Sequence, residues 1–126
     1  TLMYGFSYTV ENADAEPSFC GAGGGETTDD GIVAEGDISV DGMRAKACRV
    51  MDIMEARLSG LGMTWEQVTD VNVYTAAENG DWLPSELMPR MGADAYHGIR
   101  WYLSRPPIIG LDFEMDLRGV RRKIWL

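Results

Sequence analysis

A chain of 126 residues, 45% hydrophobic and 25% charged, has the size and mix of one soluble globular domain, taken as residues 1–126. Its 20 acids against 11 bases leave a net charge of −9, which repels phosphate backbones; the one basic cluster, RGVRRK at 118–123, reads as a solvated or interface-facing tail and not as a nucleic-acid footprint. No apolar run is long enough to span a membrane, no secretory pattern is visible, two cysteines are too few for a disulfide framework, and a single histidine argues against a metal site, so a reducing cytoplasm is expected. The sequence opens on Thr1 and not on Met, and further residues are expected before it.

Strand composition marks LMYGFSYTV (2–10), and PSFCG (17–21) reads as a short second strand ending at glycine. The low-complexity stretch GAGGGETTDDG (21–31) reads as a flexible loop that cannot pack a core. GIVAEG (31–36) is a further strand or an edge segment. The strongest local signal is a helix from about Asp41 to Leu61, where Met43, Ala47, Val50, Met51, Met54, Leu58 and Leu61 form one apolar stripe. Arg44, Lys46, Arg49, Asp52 and Glu55 fall largely off that stripe. Ser39 or Asp41 can cap its start, and Gly60 or Gly62 supplies the left-handed residue after its end. The methionines suit either an adaptable groove or plain core, and their helical spacing favours core.

TWEQ (64–67) has the capping-box pattern, and VTDVNVYTA (68–76) alternates, with Val71 and Val73 facing one way and Asn72 and Tyr74 the other. PSELMPRMGADAY (84–96) starts like a helix that Pro89 must kink or end. GIRWYLS and LDFEMDL read as two more strands. Strands, helix, strand, helix, strands is the order of an α+β layer with two helices on one sheet face.

The chemistry gathers near the C-terminal end. Proline forces Arg105 away from helical dihedrals, and Pro106 and Pro107 cannot donate to a ladder, so Arg105 stands where a strand leaves its sheet. Its guanidinium fork matches a carboxylate, either that of a ligand or that of a structural or interface salt bridge. In the next strand Leu111, Phe113, Met115 and Leu117 form one face and Asp112, Glu114 and Asp116 the other. Alternate side chains lie roughly 6.5–7 Å apart, too far for one metal without other ligands. The acids are either a solvated sheet face or include one working group.

Taken together, GFSYTV, SFCG, the helix followed by GMTWEQVTDVNVYT, LSRPP and DFEMDL resemble, in that order, the segments of the Rid/YjgF family of reactive-intermediate imine deaminases. The likeness runs through most of residues 4–117; it is specific as an ensemble and weak at any one motif. It implies a chorismate-mutase-like α+β fold, a mixed sheet with two helices on one face, and a homotrimer with clefts between subunits. It also implies cofactor-free hydrolysis of a small carboxylate-bearing enamine or imine to a 2-oxo acid and ammonia. By position, the resemblance gives Arg105 the substrate carboxylate and Glu114 the attacking water, with Asp112 and Asp116 as rivals because Pro-Pro-Ile-Ile-Gly replaces the family's Leu-Pro turn. Gly21 would offer backbone contacts, and Cys20 would line the pocket unless it is a small buried hydrophobe. Phe6 would wall the pocket where the family often has Tyr, with Tyr8 or Tyr4 able to supply the missing hydroxyl.

AYHGIRWYLSR departs from the family in being more aromatic and basic. His97, Arg100 and Trp101 would reach a larger, two-carboxylate substrate such as 2-aminomuconate, whose deaminase resembles this family. The competing reading is a non-catalytic trimer that binds a small metabolite in the same cleft. Ribonuclease activity, sometimes attached to the family name, is disfavoured by the net charge and the absence of a basic groove.

Overall fold

The structure, a computed structural model, describes residue 8 and residues 10–122. Strands β1 (Phe19–Gly25), β6 (Phe113–Gly119), β4 (Asp70–Thr75) and β5 (Arg100–Leu103) form one sheet in the order β1-β6-β4-β5. The pairings are antiparallel except β4 with β5, which run parallel and are joined by the second helical segment. A small hairpin of β2 (Thr27–Thr28) and β3 (Gly31–Ile32) stands apart.

Helix α1 (Val40–Gly60) lies across one sheet face. The Ser39 side chain caps it by accepting the Gly42 N–H at 3.2 Å, and the chain leaves through Gly62 at a φ of 68°, a left-handed conformation suited to glycine. Met43, Ala47, Val50, Met51, Met54 and Leu58 are buried against Val71 and Val73 of β4 and Phe113, Met115 and Leu117 of β6. Each of these side chains larger than alanine contributes on the order of 1.5–3 kcal/mol relative to exposure. The methionines are core.

The second helical segment is broken as its prolines require. A π-helical turn (Leu83–Leu87) leads into α2 (Met88–Met91) and a 3-10 stretch (Gly92–His97), with Pro84 and Pro89 each in a first turn, where a missing N–H loses nothing. Trp82, Leu87 and Met91 join the same core as α1, so both helices cover one face, as the order of elements predicted. Trp82 meets Phe113 and Trp101 edge-on, at centroid distances of 5.0 and 5.2 Å.

Three expectations are corrected. The glycine run is not a loop: residues 21–25 complete β1, in register with β6 on either side of a bulge between Gly21 and Gly24. Glycine is needed there because side chains cross over the strand; a Cβ on Gly23 would collide with Glu114 Oε1. Lys46 is not off the helical stripe but fully buried, and Glu26 is buried with it. The acid face of β6 is not solvated either, since Asp112 and Asp116 are both buried. Of the strand expected over 2–10, only Tyr8 and Val10 are among the described residues, and neither is in a strand. Phe6 lies outside the described residues.

Candidate active site

The sheet presents its other face free of any helix among the described residues, and ladder register sets what stands side by side there. Glu114, Tyr74 and Tyr102 share one level; Asp116, Asn72 and Arg100 share the next; Arg118 and Asp70 share the third. The Tyr74 and Tyr102 rings stack at 5.1 Å with planes 13° apart. Asp116 accepts from Asn72 Nδ2 at 2.9 Å and from the Tyr74 hydroxyl at 3.2 Å, and Arg118 Nη2 lies 3.3 Å from it. Asp70 bonds Arg100 and lies 3.6 Å from Arg118 Nη1. Burial, followed by the Asp116 charge, pushes the Tyr74 hydroxyl up to about 12, so it remains a proton donor to Asp116 at any physiological pH.

Glu114 differs from both of its neighbouring acids. Asp112 and Asp116 each hold cationic or amide partners, whereas Glu114 is half-buried against Gly23 with no ion-pair partner among the described residues. Burial raises its pKa first, and the charges of Asp116 and Glu26 raise it further. A carboxyl shifted towards neutrality and open to solvent can carry a proton to or from a substrate. Of the rival acids, Glu114 alone combines those properties.

At the end of this sheet where β6 begins, Arg105 Nη1 donates to Asp112 Oδ1 at 2.5 Å, while the Arg105 side chain is 60% exposed. The other Asp112 oxygen accepts from Lys46 Nζ at 3.0 Å, and Lys46 also donates to Glu26 Oε1 at 3.3 Å. Glu26 in turn accepts the backbone N–H groups of Asp112, at 2.6 Å, and Phe113, at 3.1 Å. Arg105 is thus tied to the residue just before β6, two positions before Glu114 in the chain.

The remaining predicted site residues are not gathered there. Cys20 pairs at the level of Arg118, four residues along β6 from Glu114, roughly 13 Å at strand spacing. Cys20 is exposed and, with Tyr8, Pro17, Phe19 and Val120, lines a separate cavity of about 600 Å³. Gly21 is buried where a Cβ would strike Leu117. Trp101 turns to the helix side, its indole N–H donating to Thr75 Oγ1 at 2.7 Å. His97 is exposed just before β5. Glu26 and Lys46 escaped the sequence reading, although Lys46 stands three residues after Met43 and four before Val50, squarely on the stripe.

Solved structures similar to this architecture share its fold. A Rid-family protein of unknown function from Yersinia pestis superposes with a TM-score of 0.58 at 16% identity, covering 84% of this chain and 80% of that one. A putative endoribonuclease from Thermotoga maritima gives 0.54 at 15% identity, covering 86% and 83%. The architecture is therefore that of the Rid/YjgF proteins, as the resemblance implied.

Within that fold the sequence is narrower: residues 1–124 match the family described as 2-aminomuconate deaminase CnbZ, and the chain belongs to it. It is 42% identical over 129 aligned positions to the 2-amino-5-chloromuconate deaminase of Comamonas testosteroni, an alignment covering 96% of this chain and 51% of that protein. The chain spans about half the length of the curated relative it matches.

Proposed function

We propose that this protein hydrolyses a planar, carboxylate-bearing enamine of the 2-aminomuconate type to a 2-oxo acid and ammonia. The observation that carries the reading is the 42% identity to a 2-amino-5-chloromuconate deaminase across 96% of the chain. The geometry supports it. Arg105, exposed and held at one nitrogen, offers donors to a substrate carboxylate. Glu114, with its raised pKa, protonates the enamine carbon to give an iminium. The resulting carboxylate takes a proton from water as its oxygen bonds to the iminium carbon. Glu114 gives that proton to the nitrogen of the adduct; the C–N bond breaks as the hydroxyl becomes the carbonyl and returns its proton to Glu114, and ammonia leaves with a 2-oxo acid behind. Imines hydrolyse readily, so positioning and charge placement suffice without a strong nucleophile.

The same proposal includes assembly as a homotrimer with clefts between subunits. It is supported by the helix-free sheet face and by β5, an edge strand whose Trp101, Tyr102 and Leu103 are all exposed. A cytoplasmic location fits two exposed free thiols, Cys20 and Cys48. Among the described residues no helix is long and apolar enough to cross a membrane. The test is ammonia release from 2-aminomuconate and, separately, from 2-iminopropanoate, each generated in a coupled assay. Acceleration of the first, lost in Arg105→Ala with the fold intact, is the expected result. No acceleration of either by folded protein overturns the deaminase reading in favour of a metabolite-binding trimer, and light scattering reports the assembly in the same samples.

A further inference from the structure

The buried charges at the end of the sheet have no part in the reaction as written, and burying them is unfavourable. A charged pair taken out of water is often no more stable than a well-packed apolar one, so the ion pair of Glu26 and Lys46, both wholly buried, adds little to the fold beyond the backbone N–H groups that Glu26 accepts. What they do control is how Arg105 is held.

A carboxylate facing arginine frequently pairs with both oxygens, filling the fork. Asp112 does not: Lys46 Nζ bonds Oδ2 at 3.0 Å, and Arg105 Nη1 bonds Oδ1 alone, at 2.5 Å. Lys46 is itself fixed by Glu26 at 3.3 Å, and Glu26 is registered to the start of β6 by the N–H groups of Asp112 and Phe113. The two acids and two bases balance in formal charge. We infer that Lys46 is a positioning residue: by occupying one oxygen of Asp112 it restricts that acid to a single-pronged grip, which orients Arg105 while leaving its other donors for the carboxylate of the substrate. Glu26 holds Lys46 in place for that task. The inference rests on the reading of Arg105 as the substrate anchor.

The experiment measures binding of muconate, the diacid lacking the amino group, by calorimetry, with turnover of 2-aminomuconate alongside. Arg105→Ala should weaken muconate binding roughly tenfold or more. The charge-balanced double variant Glu26→Gln/Lys46→Met frees Asp112 to fill the arginine fork. It should weaken binding by about tenfold, raising KM while kcat stays within about threefold. Adding Asp112→Asn removes the competing acid and should restore affinity to within about threefold of the parent. A merely structural role for Lys46 does not predict that recovery. Unchanged affinity in the double variant, or no recovery in the triple, overturns the inference while Arg105→Ala still reports the anchor. Unchanged affinity in Arg105→Ala removes the anchor itself, and the proposed site falls with it.

Discussion

Two clusters in this molecule each join one base to two acids across different elements, and they differ in almost everything else. Arg90 of α2 reaches back to α1, donating to Glu55 through Nε and Nη2 at 3.0 and 2.5 Å and to Asp52 at 2.7 Å. Its partners are half exposed, and water competes for every contact. Lys46 and Glu26 have no exposure at all. The first cluster is what a helix pair tolerates on its surface. The second is what a fold keeps at some expense, and it ends at the exposed Arg105. Burial, and not the number of ion pairs, separates the cluster that joins two helices from the one tied to the site.

The largest expected effect follows directly. Lys46→Met alone strands the buried Glu26 carboxylate without its cation and leaves the buried Asp112 with Arg105 as its remaining one. Removing one member of a buried pair is expected to destabilise by about 3–5 kcal/mol, read from urea unfolding, and the balanced variant Glu26→Gln/Lys46→Met should recover most of that loss. Equal stability of the single and double variants would break the contrast between buried and surface clusters.

The next effect concerns pH. The Glu114 carboxyl has a raised pKa when folded, from burial first and then from Asp116 and Glu26, so the native state binds more protons than the unfolded chain between the ordinary glutamate value and the raised one. Stability therefore falls as pH rises through that window. Glu114→Gln should abolish activity on 2-aminomuconate, remove this slope and leave the variant slightly more stable at neutral pH. Thermal melts across mildly acidic to neutral pH test it, and an unchanged slope would show that Glu114 does not feel the strain assigned to it. Loss of activity with a gain in stability is the pattern expected of a group held for chemistry.

Most of the fold was legible because it depends on spacing. The stripe from Met43 to Leu58, the Ser39 cap, the alternation in β4 and β6 and the irregularity around Pro89 all follow from local geometry. The prolines singled out Arg105 and strand alternation set Asp112, Glu114 and Asp116 on one face, while the choice of Glu114 among them followed from the family resemblance. What escaped was long-range. Glu26 and Lys46 meet across 20 residues, and Lys46 meets Asp112 across 66. No local rule pairs them, and a lysine is ordinarily assigned to water. Yet the helical period already placed Lys46 inside; its chemical type was allowed to outvote its phase. The glycine run misled in the opposite sense. Glycine signals a loop by composition, but here it lets Glu114 and Leu117 fold across β1.

The smallest effect closes the comparison. Arg90→Met removes the hydrogen bonds to Asp52, Glu55 and the Cys48 carbonyl, more contacts than Lys46 makes. Its acids remain accessible to water once the guanidinium is gone, so no charge is stranded, and the methionine can cover the stem's packing surface. The expected loss is about 1 kcal/mol or less, shrinking as salt is added, with muconate binding and turnover unchanged. A loss as large as that of Lys46→Met would mean that the α1–α2 contact is as dry in solution as the Glu26–Lys46 pair, and exposure would no longer distinguish the two clusters.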